Sequence, residues 1–425
     1  MHIWLITVGE PLPIDGNNDR LHRTGILANL LIKRGHKVVW WTSTFDHVRK
    51  RQRVNTDTSI DISNNFKFKL LHSIGYKKNI SLLRFINHYL IGYKFYKCAQ
   101  DELKPDIILS SLPTLKLSLS AVKYGEKMNI PVVLDMRDMW PDVFLDFIPS
   151  WAKGIAHILF LPMYIILAKA CFNATCITGI AQGCVEWGVK CANRSLTSFD
   201  RPFPLAYSKI RPDIESIKNA NNFWKKFGIV KNNSKFNICF FGNLGQSFVP
   251  EFINIINVAK NLKMKNYPIC FIICGCGDNL SFYKKISKGF GNIIFPGWIN
   301  KDQIWTLLRM SSIGLLPYQN VKSFVIGFPN KSIEYLSAGL PIVSSLKGVL
   351  GDLLNTYNCG ITYESENAND LASKLIYLFS NPEILKEMSK NAFDLYKEKF
   401  VAEKVYNDMI DYLELVVKKY RKQYF

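Results

Sequence analysis

Twice along the chain, a short apolar run ends in a turn rich in glycine and gives way to an amphipathic helix, and that alternation admits few architectures. Residues 2–8 form an apolar run, residues 9–18 are rich in turn formers, and a helix is expected over 19–34. Leu21, Ile26, Leu27, Leu30 and Leu31 fall at helical spacing in that helix. Gly35 and a second apolar run at 38–42 follow. The pattern resumes at 105–111, 131–135 and 174–180. It then restarts after an irregular stretch, with strands expected at 236–241, 269–274, 293–295 and 313–318 and helices at 250–262 and 302–310. Runs that are apolar on both faces and alternate with helices specify parallel sheets. A chain of 425 residues is too long for one core. The expectation is therefore two Rossmann-like α/β domains, at 1–200 and 236–400. Residues 201–235, with Pro202, Pro204 and Pro212, read as a linker, and 401–425 as a final helix crossing back to the first domain. In such sheets ligands collect at the carboxyl ends of the strands.

The richest stretch at such an end is 327–345, GFPNKSIEYLSAGLPIVSS. A turn through Phe328 and Pro329 feeds a short helix from Asn330. The helix ends at Gly339, and Ile342 and Val343 begin a buried strand. Its first turn presents backbone N–H groups and the positive end of a dipole to any anion. Asn330, Lys331 and Ser332 stand there. Lys331 adds a full charge, and Glu334 can accept from a sugar hydroxyl. The turn Gly242-Asn243-Leu244-Gly245 after the strand at 236–241 would let backbone amides approach a phosphate closely, and Gly275 closes the next strand in the same manner.

In the first half, the loop with Gly16 and Asn17 and the helix start with Arg20 and Arg23 lie at a strand's carboxyl end. So does Asp135-Met136-Arg137-Asp138-Met139-Trp140-Pro141. An acid there could orient or deprotonate an acceptor hydroxyl, and Arg137 could grip a phosphate in two-pronged fashion. Two basic runs, HVRKRQR at 47–53 and YKKN at 76–79, read as solvated loops or as a rim for an anionic lipid or a diphosphate-linked acceptor. Residues 155–168 are the most apolar stretch. With Pro162 inside and only 14 positions, they fall short of the ~20 a membrane span needs, and an interfacial helix or a buried helix remains open.

The balance of 54 Lys+Arg against 34 Asp+Glu, a net +20, favours phosphorylated ligands or an anionic membrane face. No nucleic-acid motif is visible. The N-terminus carries no cleavable apolar leader, and the ten cysteines contain no C-x-x-C pair. A reducing cytoplasm, no metal and no cofactor are the resulting expectations.

The phrases at 20–43, 135–141 and 329–345 resemble family 4 retaining glycosyltransferases of the GT-B class. Within it they resemble the branch typified by the L-fucosamine transferase of bacterial O-antigen and capsule assembly. Glu334 matches the second of that family's two signature glutamates, and Ile326 stands where the first would fall. The resemblance implies two domains facing across a cleft and a metal-independent transfer. The sugar, an N-acetylated amino sugar such as N-acetyl-L-fucosamine, would move from a UDP-sugar to a polyprenyl-diphosphate-linked saccharide on the cytoplasmic face of the inner membrane. It also implies that Asp138 activates the acceptor, that Gly297 and Trp298 lie beside the nucleotide base, and that Lys331 and Arg309 meet the phosphates where the family's usual loop arginine is missing. A sugar-nucleotide epimerase of the same fold and a non-catalytic membrane-associated binding protein are the alternatives.

Overall fold

A computed structural model, described for residues 1–16, 20–208, 210–230, 235–245 and 249–424, divides into two compact units. Unit 1 holds Met1–Pro204 with Ala402–Phe425, and unit 2 holds Leu205–Val401.

The strands of unit 1 are β1 (His2–Ile6), β2 (Lys37–Ser43), β3 (Phe45–Asp46), β4 (Arg51–Gln52), β5 (Thr58–Ser63), β6 (Phe66–Leu71), β7 (Ile107–Ser111), β8 (Val132–Met136), β9 (Cys176–Gly179) and β10 (Arg201–Pro202). All but the β3–β4 pair join one sheet in the order β10-β9-β8-β7-β1-β2-β6-β5, parallel except for β5. Its helices are α1 (Arg23–Lys33), α2 (Leu82–Cys98), α3 (Leu115–Met128), α4 (Asp142–Leu145), α5 (Lys153–Asn173) and α6 (Gln182–Cys191). The core is aromatic. Trp4 on β1 stacks on Tyr124 and tilts against Trp41, both at 5.1 Å, and Phe95 closes the cluster edge-on.

Unit 2 contributes β11 (Phe236–Phe241), β12 (Ile269–Cys274), β13 (Ile293–Gly297), β14 (Ile313–Leu316), β15 (Ile342–Ser344) and β16 (Gly360–Thr362), in the parallel order β13-β12-β11-β14-β15-β16. Its helices are α7 (Ile214–Lys225), α8 (Val249–Met264), α9 (Leu280–Ile286), α10 (Lys301–Met310), α11 (Lys322–Val325), α12 (Asn330–Ser337), α13 (Val349–Thr356), α14 (Ala368–Ser380) and α15 (Pro382–Lys399). The last helix, α16 (Ala402–Tyr424), returns to unit 1. There Arg34 Nη1 donates to Asp411 at 2.6 Å and Tyr412 Oη to the Phe199 carbonyl at 2.8 Å. Strand order reverses beside β1 in unit 1 and beside β11 in unit 2, the place where open sheets of this kind part to receive ligands.

Three elements differ from the sequence reading. The expected linker at 201–235 contains a packed helix, α7, which lies on α10. Trp224 is fully buried there and donates Nε1 to Thr306 Oγ1 at 2.8 Å, so the chain crosses between units at Pro204 rather than over a long connection. The antiparallel β5 and the alternating FKFKLL strand β6 extend the first sheet beyond the expected runs. Finally, α5 runs for 21 residues straight through Pro162.

Candidate active site

In unit 2 the geometry converges on Lys331. Its helix α12 is seated by Tyr335, whose ring lies on Gly314 of β14. A Cβ at Gly314 would fall 2.3 Å from the ring. The Tyr335 hydroxyl donates to the carbonyls of Cys239 (3.1 Å) and Leu315 (3.3 Å), tying the helix to β11 and β14. At the other end, Gly339 takes a φ of +68°, and Leu340 N donates back to the Tyr335 carbonyl at 2.9 Å, which closes the helix. Thus anchored, α12 lays the Lys331 side chain across Gly242 at the carboxyl end of β11. A Cβ on Gly242 would meet Lys331 Cε at 2.3 Å and Nζ at 2.6 Å. The ammonium donates to Tyr318 Oη at 3.0 Å and lies 5.3 Å from the Phe240 ring centroid. Among the described residues no carboxylate pairs with it. Asn330 and Lys331, in the first turn, have no intrahelical acceptor for their amides. An unpaired ammonium, a helix start and a glycine with no side chain to intervene form an anion cradle.

The neighbouring strand ends complete one wall. Gly242 N donates to the Cys274 carbonyl at 3.0 Å and Gly275 N to the Gly297 carbonyl at 2.7 Å, so Gly242, Gly275 and Gly297 stand side by side. A Cβ on Gly275 would fall 1.8 Å from the Gly242 carbonyl oxygen, an approach only glycine allows. Asn243 and Trp298 are exposed beside this row, and Gly245 follows in the same loop. Glu334, in the second turn of α12, is 2% exposed.

Unit 1 uses its charged residues differently. Arg23 is buried and grips Asp135 with two prongs at 3.0 Å each, and its Nη1 donates to the carbonyls of Phe203 (2.7 Å) and Pro204 (3.1 Å). Asp135 also accepts from Arg137 Nε (2.7 Å) and Thr178 Oγ1 (3.0 Å). Burial pushes its carboxyl up, but the guanidiniums of Arg23 and Arg137 outweigh this and hold it down at about 2. Arg137 also donates to Glu10 and to Thr24 Oγ1. Glu10 accepts from the Thr24 amide as well, so a carboxylate of the chain itself already caps the start of α1. Arg23, Asp135 and Arg137, expected on the acceptor side, are therefore consumed by a closed ion network that joins α1, β8 and the chain's exit to unit 2. Further along the motif, Asp142 accepts from Tyr164 Oη (2.7 Å) and Trp187 Nε1 (3.1 Å), while Trp140 is buried against Phe144 and His88. Asp138 is left facing solvent. Crowding by protein atoms raises its carboxyl above the ordinary range, against the pull of Arg84 and Arg137.

Residues 218–395, nearly all of unit 2, match the family model described as glycosyl transferases group 1. The match thus falls on the second unit, the one that carries the Lys331 cradle. An uncharacterized glycosyltransferase of Methanocaldococcus jannaschii is 27% identical over 184 residues. That match takes in 40% of this chain and 49% of the relative, about half its length. Among solved structures, sucrose-phosphate synthase from Thermosynechococcus elongatus superposes with a TM-score of 0.73 at 14% identity, covering 98% of this chain and 99% of that one. Anabaena HepE in complex with UDP-glucose gives 0.65 at 11% (97% and 99%). WaaG, a glycosyltransferase involved in lipopolysaccharide biosynthesis, gives 0.63 at 13% (96% and 99%). With both units covered, the fold is GT-B.

Not every expected residue reaches the cradle of unit 2. Arg309 does not. It sits in the last turn of α10, whose Met310 carbonyl accepts from Asn237 at the opposite, amino end of β11, and its guanidinium lies 3.3 Å from the Trp305 ring centroid. Ser332 is fully buried, with its hydroxyl and amide both donated to the Pro329 carbonyl at 2.6 and 3.0 Å, so it shapes the turn instead of offering a donor. Phe328 packs edge-on against Phe400, and Pro329 takes the cap position of α12. In unit 1, Gly16 is exposed, Arg20 precedes α1, and Asn17 lies outside the described residues. Two participants were missed. Tyr318 steadies the Lys331 ammonium, and its place two residues past the end of β14 was the available signal. Glu10 carried no signal, because its partners are far along the chain.

Proposed function

We propose that the chain transfers a glycosyl group from a UDP-sugar to a lipid-linked saccharide, with retention of configuration, at an anionic membrane surface. The observation that carries this reading is the Lys331 ammonium, lying across Gly242 at the start of α12 with no carboxylate partner among the described residues. As the anomeric C–O bond breaks, charge grows on the departing diphosphate, and a fixed cation with free amides is placed to meet it. The reading gives that neutralisation to Lys331 and the α12 amides and assigns no part to a metal. Glu334 would hold the ribose, and Asp138 would take the proton from the acceptor hydroxyl. The names of similar structures, bound to UDP-glucose in one case and involved in lipopolysaccharide biosynthesis in another, support a UDP-sugar donor and an envelope glycan acceptor. An N-acetylated amino sugar such as N-acetyl-L-fucosamine is the donor sugar to test first, in O-antigen or capsule assembly on the cytoplasmic face of the inner membrane.

The acceptor's lipid is supported by α5. An 18-residue window within the 24-residue helical segment Ser150–Asn173 has a mean hydropathy of 1.9, yet only 22% of the window is buried. Leu167, Ala170 and Cys171 are buried, whereas Trp151, Ile158 and Leu159 are 82%, 73% and 72% exposed. No acid occurs in α5, and Lys153 and Lys169 stand near its ends. One side of α5 thus belongs to unit 1 and the other suits an anionic interface.

A panel of UDP-sugars with and without polyprenyl-diphosphate-linked saccharides, with UDP release and product mass followed, tests the reaction. Acceptor-dependent UDP release is expected. Conversion of the sugar nucleotide without acceptor would replace transfer by epimerisation. For the surface, Ile158→Glu with Leu159→Glu is expected to cut co-sedimentation with phosphatidylglycerol vesicles by at least about tenfold while UDP binding is unchanged. Equal sedimentation would remove α5 from the account.

A further inference from the structure

We propose that unit 1 holds a second anion site, formed by Lys50, Arg84 and His47 around Tyr76, which takes the phosphate or diphosphate of the acceptor. The proposal rests on the transfer reading above only for the word acceptor, since the site itself is argued from unit 1 alone.

Two segments, 47–50 and 76–84, meet here. Tyr76 is buried. Lys50 Nζ lies 5.0 Å from its ring centroid and the Arg84 guanidinium carbon 5.9 Å. His47 Nδ1 shares a hydrogen bond with Tyr76 Oη at 2.7 Å, and Lys50 Nζ reaches His47 Nδ1 at 3.3 Å and Asn79 Oδ1 at 2.5 Å. Arg84 also covers the Trp140 ring at 4.5 Å, in the same loop as Asp138. Two of the flanking basic residues are neutralised: Arg49 pairs with Asp46 at 3.1 Å and Arg53 with Asp15 at 2.5 Å. Among the described residues, neither Lys50 nor Arg84 has a carboxylate within ion-pair distance. Arg84 Nε is moreover buried without a hydrogen-bond partner.

Two unneutralised cations held against one ring repel each other in a partly dry setting, and a phosphate would relieve both. The titration behaviour agrees. Burial and then the Arg84 charge bring Lys50 down to about 8. Burial followed by Arg84 and Lys50 holds His47 at about 3, so the imidazole is neutral at pH 7. The backbone is a separate witness. Lys50 takes a φ of +56°, a conformation a side chain of this kind rarely adopts, and such strain persists where a side chain must be aimed. Lys77, Lys78 and Asn79 are exposed around the opening, so the site is reachable from solvent.

The test uses the full chain and two probes, inorganic diphosphate and farnesyl diphosphate, titrated calorimetrically. Lys331→Ala is expected to weaken UDP binding at least about tenfold yet keep one diphosphate site unchanged. Adding Lys50→Asn and Arg84→Gln to it should weaken that remaining site by about 10- to 100-fold, the range for a charge-assisted bond or two. Asparagine tolerates the left-handed backbone, so Lys50→Asn alone serves if the Arg84 variant fails to fold. Lys50→Gly should raise Tm while weakening the probe, a pairing that a merely structural lysine would not give. Farnesyl diphosphate binding at least tenfold tighter than inorganic diphosphate assigns the anion to a lipid carrier, and equal binding assigns it to a water-soluble phosphorylated acceptor. Unchanged diphosphate affinity in the triple variant would overturn the proposal. Unchanged UDP binding in Lys331→Ala would instead overturn the donor site and leave this one standing.

Discussion

Lys331→Ala is expected to lower turnover about 10²- to 10³-fold, the loss seen when one preorganised donor to a developing oxyanion is removed. Its fold should persist, because the side chain is only part-buried and, among the described residues, its hydrogen bond goes to Tyr318 Oη. Helix α12 stays seated by Tyr335 whether or not the lysine is present. A second substitution makes the test specific to position rather than charge. Gly242→Ala keeps Lys331 but puts a methyl 2.3 Å from its Cε, so the flexible lysine must swing away. The two variants should resemble one another in kcat and in UDP affinity; Lys331→Ala should keep its Tm, whereas Gly242→Ala also carries the backbone strain of a side chain at a φ of +157°. If Gly242→Ala turned over normally, the lysine's seat on the glycine would be irrelevant to the chemistry. If both variants lost Tm, the contact would be structural.

That site was legible because its determinants are local or sit at strand ends. A turn, a helix start with lysine and a closing glycine lie within a dozen residues, and parallel topology alone carries them to the ligand-binding edge of the sheet. Three glycines from three strands were likewise placed by alternation. What could not be read was partnership across long separations. Arg23 and Asp135 are 112 residues apart, and Arg137 meets a glutamate 127 residues before it. From sequence each was a free charge at a strand's end, and their mutual neutralisation became visible only in three dimensions. Arg309 failed for a related reason. Periodicity gave the helix correctly, but a last-turn residue of a crossover helix returns to the wrong edge of the sheet. In α7, the buried Trp224 outweighed a composition of Asn and Lys that read as a connection. The apolar stretch at 155–168 understates the helix, because proline signals a break in sequence while α5 runs through Pro162.

The closed network in unit 1 yields the other large effect. Asp135→Asn is expected to destabilise the protein by about 3–5 kcal/mol, because Arg23 is left buried with its charge uncompensated. For a unit of this size that is a fall in Tm of about 6–20 °C. The pH dependence follows from the folded carboxyl lying at about 2 against an ordinary value of 3.8. A depressed carboxyl stabilises the fold above its unfolded value, so the contribution is whole at neutral pH. It then drains away as pH falls from about 4 towards 2. The difference corresponds to about 2.5 kcal/mol, less than the substitution costs, since a protonated acid still accepts hydrogen bonds. Wild-type resistance to urea should therefore fall steeply below pH 4, and Asp135→Asn should show a flatter profile through the same range. The contrast with Asp138 decides between roles. Asp138→Asn should leave Tm within about 1 °C, as for an exposed residue, and reduce turnover. Were Asp135 instead a residue that touches the acceptor, its variant would keep Tm and lose activity, because a substrate-facing carboxylate would not be holding two guanidiniums inside the first unit.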